Sequence, residues 1–395
     1  MPFRGSAVED RIALFREFDT GVFTVTELCA RHDISRTTFY EWKERRGGGD
    51  ERWFEEKSHA AGSCPHRTPE EIAARIVALR ERHPHLGPKK IRALLADRQP
   101  EVAWPAVSTV GDILKRAGLV APSKRRRRPV AQGEVVAPAV EPNDEWGIDF
   151  KGWFRTLDGT RCDPLTISDT ASRYLIEVKI VDPTWAGVRS ALERVFSDVG
   201  LPRAMRSDNG APFGSTGAGG LSALSVWWLK LGIEPRYIPP ASPQDNGRHE
   251  RMHRTLKAET SKPPAAAPGA QQARFDAFRR MFNEERPHEA LGQVPPARRW
   301  RPPSRMLPDR LDEAWYDADH EVRRVRPNGE IKWRGEHVFI GEALAGELVG
   351  IAEHESGGHI VRFMGRDLGV IGRDRRFLRF APPRARLRST PEPAA

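Results

Sequence analysis

Cysteine is scarce in this 395-residue chain, which has only Cys29, Cys64 and Cys162. Three thiols with no Cys-x-x-Cys pair build no disulfide framework, and a reducing, intracellular compartment is the simpler reading. Long apolar runs are missing too. The opening MPFRGSAVEDR reaches an acid by position 9 without an apolar stretch, so it does not read as a secretory signal. The uncharged stretch Phe213 to Leu229 is diluted by Gly and Ser and is too short to cross a bilayer. Hydrophobic residues make up 38% of the chain, low for one compact globule. Phosphate-loop glycine motifs are absent, so nothing points to ATP. Secreted, membrane and disulfide-rich classes are excluded.

What is present is positive charge. Lys and Arg number 64 against 54 Asp and Glu, a net charge of +10, which favours a polyanionic partner such as nucleic acid. With 34 glycines and 33 prolines, loops and linkers are plentiful. At about 150 residues per domain, the length suits two or three domains.

Residues 1-47 read as three short helices, with Ile12, Phe15 and Phe18 on the first and Val25, Leu28 and Cys29 on the second. Ser35 is placed to cap the third, whose Phe39 and Trp42 face inward. Such a helix would turn Arg36, Thr37 and Tyr40 toward a major groove. Residues 68-120 repeat the plan, with Ile72, Ile76 and Leu79, then Ile91, Leu94 and Leu95, then a helix capped by Ser108 and carrying Val110, Ile113 and Leu114. Its groove readers would be Ser108, Thr109 and Lys115. Both units also suit protein–protein contact. Residues 121-143 form a basic linker. Its run Lys124, Arg125, Arg126, Arg127 and Arg128 suits a phosphate backbone, or equally a solvated charge run.

From Trp146 the pattern becomes strands: WGIDFKGWF, a Leu157-Asp158-Gly159 hairpin signal, PLTISD and RYLIEVKIV. AGVRSALERVFSDVG, LSALSVWWLKLG and NGRHERMHRTLKAE read as helices, and PRAMRSD as a short strand. That alternation argues for an α/β layered unit over residues 144-300. Residues 315-380 return to short strands around a Pro-Asn-Gly turn, the pattern of a small β-barrel.

Three acids stand where acids are costly or conspicuous: Asp149 inside an apolar strand, Asp208 at a strand end, and Glu250 on a helix. Any one alone reads as a turn or surface acid. Together, carboxylate oxygens suit Mg²⁺ or Mn²⁺, and two such ions can serve the attacking and leaving oxygens of a phosphoryl displacement. On the last helix, Glu250, Arg254 and Lys257 share a face at i, i+4 and i+7. The two cations are then placed for phosphates, or Arg254 simply pairs with Glu250 on the surface.

The words around these acids resemble the signature of insertion-sequence transposases with a retroviral-integrase-type core. They are Trp146-Gly147-Ile148-Asp149-Phe150, then Ser207-Asp208-Asn209-Gly210, then Ser242-Pro243-Gln244-Asp245-Asn246-Gly247-Arg248-His249-Glu250-Arg251. The resemblance spans residues 144-300, and the paired helix-turn-helix modules suit the same family. It implies a ribonuclease H-like fold and a DDE triad of Asp149, Asp208 and Glu250 as catalytic residues and metal ligands. It further implies DNA cleavage followed by strand transfer with Mg²⁺ or Mn²⁺ as a pair of ions, and no ATP.

The 41 residues between Asp208 and Glu250 exceed the family's usual interval. The glycine-rich 214-220 reads as a flexible insertion that absorbs the excess, and Asp245 is a competing third ligand. Cys64-x-His66 with His59, His83 and His85 offers soft ligands, but the spacing is not that of a zinc site.

The expectation is therefore a multidomain DNA transposase: all-α helix-turn-helix modules at the N-terminus, an α/β integrase core, and a small β-barrel-like C-terminal domain. Its partners would be the element's inverted repeats, target DNA and further copies of itself, in the cytoplasm and on the nucleoid, with no membrane. A catalytically silent DNA-binding regulator, or a nuclease that cuts without joining, would carry many of the same features.

Overall fold

A computed structural model describes residues 8–49, 51–55, 67–120, 139–238, 247–355 and 357–380. The linker cations Lys124 to Arg128, the alternative ligand Asp245, and the soft ligands His59, Cys64 and His66 lie outside the described residues. The chain divides into two compact units, 1–67 and 68–395.

In the first unit, α1 (Val8–Asp19), α2 (Val25–Arg31) and α3 (Arg36–Gly47) close around Leu14, Phe15, Leu28, Cys29, Phe39 and Trp42. Phe15 stacks on Phe39 at 5.2 Å. Thr24 and Glu27 form a reciprocal capping box before α2, and the Ser35 hydroxyl accepts from the Thr38 amide at 3.0 Å before α3. These caps fix where each helix starts, and so which residues of α3 face outward.

The second unit opens with α4 (Glu70–Arg82), α5 (Pro88–Arg98) and α6 (Val107–Arg116), packed on Ile76, Leu79, Ile91, Leu94, Val110 and Leu114. Ser108 does not cap α6. The cap position is Ala106, so Ser108 is the second residue of the helix and its hydroxyl is exposed. Three ion pairs tie this bundle to residues 285–298: Lys89 to Glu289 at 3.1 Å, Asp97 to Arg298 at 2.6 Å, and Arg98 to Glu285.

The layered part comprises β1 (Trp146–Phe150), β2 (Phe154–Arg155), β3 (Arg161–Cys162), β4 (Pro164–Asp169), β5 (Leu175–Ile180), α7 (Trp185–Val199), β6 (Ala204–Ser207), α8 (Ala223–Lys230), β7 (Glu234–Tyr237), α9 (Gly247–Thr260) and α10 (Pro268–Glu284). The sheet order is β5-β4-β1-β6-β7. β5, β4 and β1 are antiparallel, and β1, β6 and β7 run parallel. This is the ribonuclease H-like arrangement. The expected hairpin at Leu157-Asp158-Gly159 exists, but it joins β2 and β3 in a separate two-stranded ribbon.

Strand alternation assigns the two faces. Trp146 and Ile148 of β1 enter a core with Val188, Leu192 and Phe196 of α7 and Leu224 and Trp228 of α8. The opposite face is covered by Met252 and Leu256 of α9 and Phe275, Phe278 and Phe282 of α10. Gly147 and Asp149, alternating with Trp146 and Ile148, therefore look toward α9.

The C-terminal strands are β8 (Glu321–Arg324), β9 (Glu330–Trp333), β10 (Glu336–Phe339), β11 (Leu348–Glu353), β12 (His359–Phe363), β13 (Arg366–Ile371) and β14 (Phe377–Arg379). They do not close into the expected barrel. One antiparallel sheet runs β14-β13-β12-β11-β8, and β9 pairs only with β10, so among the described residues β14 and β8 are free edges. A barrel buries its interior by closing on itself. Here that face is covered instead by Ile331, Trp333 and Val338 of the hairpin and by Ala218, Leu221 and Val226 of the layered part.

The 214–220 segment is correspondingly not a loose insertion. Ala218–Gly220 form a buried 3₁₀ turn, Gly214 bridges to Leu221, and Gly219 adopts a positive φ of 61°. A Cβ on Gly219 would stand 3.3 Å from Leu368 of β13. The glycines let this turn seat in the C-terminal sheet.

Candidate active site: three acids at the end of a mixed sheet

β1 and β6 run parallel with Trp146 opposite Met205 and Gly147 opposite Arg206. Extending that register two residues sets Asp149 level with Asp208, just beyond the end of β6. Asp149 is half-buried and Asp208 exposed. The Asp208 carboxylate accepts the Gly210 amide at 3.1 Å, which fixes the turn leaving the strand.

Glu250 reaches this neighbourhood through α9. The His249 ring stands directly over Gly147: a Cβ there would lie 2.7 Å from Cε1 and 2.9 Å from Nδ1. One turn on, His253 Nε2 is 2.7 Å from the Thr166 hydroxyl, which donates to the Asp149 carbonyl at 3.0 Å. Thr166 is the cross-strand partner of Asp149. Another turn on, the charge of Lys257 acts on Lys151, whose ammonium is pushed down to about 8, first by burial and then by Lys257. Residues 249, 253 and 257 of the helix thus track 147, 149 and 151 of the chain leaving the sheet. Four helical residues advance about 6 Å and two strand residues about 6.6 Å, so the two rises match and α9 lies along β1.

Glu250, Arg254 and Lys257 are exposed on α9. The buried side of the helix combines Met252 and Leu256 with two uncharged imidazoles. Burial holds the His249 imidazole well below its ordinary range, and it holds His253 down at about 4. Both rings are therefore uncharged at neutral pH and act as spacers between helix and sheet. His249, His253, Thr166 and Lys151 were not singled out from sequence. The available signal was Gly147 inside an apolar strand, which marks close approach of another element.

The donor set of three carboxylates fits a hard divalent cation. Among the described residues, no three His, Cys, Asp or Glu side chains converge on one point where an ion would sit. The topology brings Asp149 and Asp208 side by side and lays the helix of Glu250 against the same strand.

The other expected DNA contacts fall on two surfaces. Arg36, Thr37 and Tyr40 are all exposed on α3 of the first unit, with Tyr40 at 48%. Arg254 and Lys257 are on α9 in the second. No described helix is long and apolar enough to cross a membrane.

Comparison with known proteins agrees with this architecture. Residues 231–296 match the family described as integrase core domain, a segment containing β7, α9 and Glu250 but neither Asp149 nor Asp208. Residues 38–114 match a homeodomain-like domain and run from α3 to α6. Over 231 residues the chain is 29% identical to the insertion element IS476 uncharacterized 39.2 kDa protein of Xanthomonas euvesicatoria, covering 57% of this chain and 63% of that protein. Over 237 residues it is 28% identical to the insertion element IS407 uncharacterized 31.7 kDa protein of Burkholderia multivorans, covering 59% and 82%.

Among solved structures, one similar chain is in the simian T-cell lymphotropic virus intasome in complex with PP2A regulatory subunit B56 gamma. It has a TM-score of 0.36 and 17% identity, over 72% of this chain and 91% of that one. Another is the HTLV-2 integrase catalytic core domain in complex with magnesium, with a TM-score of 0.33 and 17% identity, over 41% and 98%. The resemblance to insertion-sequence transposases with an integrase-type core stands on the integrase-core and homeodomain-like matches and on the two insertion-element proteins.

Proposed function

We propose that this chain is a DNA transposase that cuts at the ends of a mobile element and joins the freed 3′ ends to target DNA. The observation that supports the reading is the alignment of α9, the helix of Glu250, along β1, the strand of Asp149, with Asp208 one strand over. Asp149, Asp208 and Glu250 would hold Mg²⁺ or Mn²⁺. When bound, the ions would lower the pKa of the attacking oxygen and offset charge on the leaving one. The chain's own residues do the rest. His249 and His253 hold the helix at its distance, Thr166 ties Asp149 to the helix, and Lys257 and Arg254 hold phosphates near the acids.

The homeodomain-like helices supply recognition of the inverted repeats, with Arg36, Thr37 and Tyr40 in the groove and the basic run Lys124 to Arg128 on the backbone. Joining two ends calls for more than one copy of the chain, in the cytoplasm and on the nucleoid.

The test is a nicking and joining assay on duplexes carrying the repeats that flank the gene, with Mg²⁺ or Mn²⁺. Asp149→Asn, Asp208→Asn and Glu250→Gln keep side-chain shape and remove the charge. Each should abolish both steps and leave end binding nearly intact, a barrier increase of several kcal/mol. Near wild-type cutting by any one variant removes that residue from the ligand set. Binding without cutting by the wild-type protein would favour a silent regulator, and cutting without joining a plain nuclease.

A further inference from the structure

Along one flank of α9, the second helical bundle and the sheet enclose a cavity of about 550 Å³. Its lining takes Arg251, Arg254, Thr255 and Ala258 from α9, but neither Glu250 nor Lys257. The volume is that of an ordinary ligand site. The charge is not ordinary. Lys90 of α5, Arg173, Arg206, Arg251, Arg254 and Arg286 all line it, against the carboxylates of Asp169 and Glu289.

Those acids are engaged elsewhere. Asp169 accepts the Asn143 amide at 2.7 Å and both the amide and hydroxyl of Ser172 at 2.6 Å. Glu289 is held by Lys89 at 3.1 Å. Arg206 and Arg286 have partners in Glu145 and Glu259. The Lys90 ammonium is in no side-chain hydrogen bond and no ion pair among the described residues, although the Glu259 and Glu289 carboxylates act on it from further off. Burial, then the Arg286 charge beside it, pushes its ammonium down to about 8. The imidazole Nε2 of His249, in a ring only 4% exposed, also lines the cavity without a hydrogen-bond partner, as does that of His288. A desolvated ammonium among arginines is unfavourable until an anion joins it.

We propose that this cavity grips backbone phosphates of the DNA strand, clamping it between the second helical bundle and the flank of the acid-bearing helix. The proposal rests on reading the chain as a DNA-processing enzyme and adds a second hold on its substrate. A strand is favoured over a small anion because Arg254 is shared. It lines the cavity, and it lies one turn from Lys257 and beside Glu250, so a backbone leaving the cavity passes across α9 to the acids. The second helical bundle then contributes to binding through Lys90, and not only through an outward-facing recognition helix.

Lys90 is the diagnostic residue, because it belongs to neither the triad nor α3. The experiment measures anisotropy of a labelled short duplex with full-length protein in EDTA, across a salt series, alongside thermal melting with sodium tripolyphosphate. Removing one phosphate contact should flatten the log–log salt slope of Lys90→Ala by about 0.9. Lys90→Glu should weaken binding further, and Lys90→Arg should stay near wild type. Tripolyphosphate should raise the wild-type Tm and leave that of Lys90→Glu unmoved. Thermal melting of each variant confirms that it is folded before its binding is read.

An unchanged slope and affinity in a normally melting Lys90→Ala would overturn the proposal. So would loss of the tripolyphosphate effect with DNA binding intact, because the cavity would then serve a small anion. A wild-type protein that shows the slope yet never cuts or joins would sink the transferase reading while leaving the clamp in place.

Discussion

Gly147 is where the architecture can be tested most sharply. Its backbone lies in β1, paired with β4 on one side and β6 on the other, so the strand has little room to shift. A methyl group added there would lie 2.7 Å from Cε1 of His249, where ordinary contact begins near 3.4 Å. The ring cannot swing into water because it is only 4% exposed. Gly147→Ala must therefore lift α9 by about 0.7 Å, an overpacking that typically costs about 1–3 kcal/mol. Glu250 follows His249 in the chain and moves with it. A displacement approaching 1 Å can lower a rate on the order of 100-fold, so activity should fall by more than stability does.

The control is a double-mutant cycle. His249→Ala removes the ring that the methyl meets, so Gly147→Ala should become nearly neutral in that background, a coupling of at least about 1 kcal/mol. Urea denaturation reads the stabilities and the nicking assay reads the rates. If Gly147→Ala costs the same with and without the His249 ring, α9 does not lie on β1 as described, and the argument for Glu250 weakens with it.

The same geometry sets other outcomes. Arg36→Ala should lower the ratio of specific to non-specific DNA affinity by about 1–3 kcal/mol if it reads a base edge; an equal loss on all sequences, measured by competition binding, makes it a phosphate contact. Lys257→Ala should leave the Mg²⁺ dependence of cleavage unaltered and flatten the salt slope for a precut end by about one unit, whereas an exposed ion-pair residue would do neither. Burial, with Lys90, Arg286 and Arg173 around it, holds His288 at about 3 in the folded chain, against 6.5 for the free side chain. The unfolded state therefore binds the extra proton as pH falls below 6.5, and stability is lost on acidification. Between pH 7 and 5 that loss should be on the order of 2 kcal/mol. His288→Phe, which keeps the edge contact to Phe282, should remove that part of the pH dependence in a denaturation series.

What the sequence made legible was periodicity and motif. Phe39 and Trp42 at helical spacing gave the inner face of α3, and Trp146 and Ile148 alternating with Gly147 and Asp149 gave the two faces of β1. What it hid has physical causes. β7 is four residues long with Pro235 inside it, and proline argues against a strand until one knows it lies at the edge of the sheet. α10 starts at Pro268 after a run of proline and alanine that reads as a linker, although its first-turn proline is suited to opening a helix. Ser108 looked like a cap because helix boundaries in sequence are uncertain by a residue or two. The Pro-Asn-Gly turn does not pair its flanking strands: β8 left it to join β11, a partner more than twenty residues away.

The glycine-rich 214–220 shows why composition alone misleads about mobility. Glycines free a chain only when nothing packs on it. Here they allow a tight turn to enter a space where a Cβ at Gly219 would press on Leu368, and Ala218 and Leu221 on either side are buried in the same apolar cluster. The Arg379 guanidinium adds a hydrogen bond to the Thr216 carbonyl. The segment that lengthens the interval between Asp208 and Glu250 is thus held from outside the layered part, by strands more than a hundred residues later. The path leaving Asp208 is short: Gly210, Phe213 in the main core, then Gly214 bridged to Leu221. The extra length at 214–220 is packed at both ends, one in the sheet's core and the other in the C-terminal sheet.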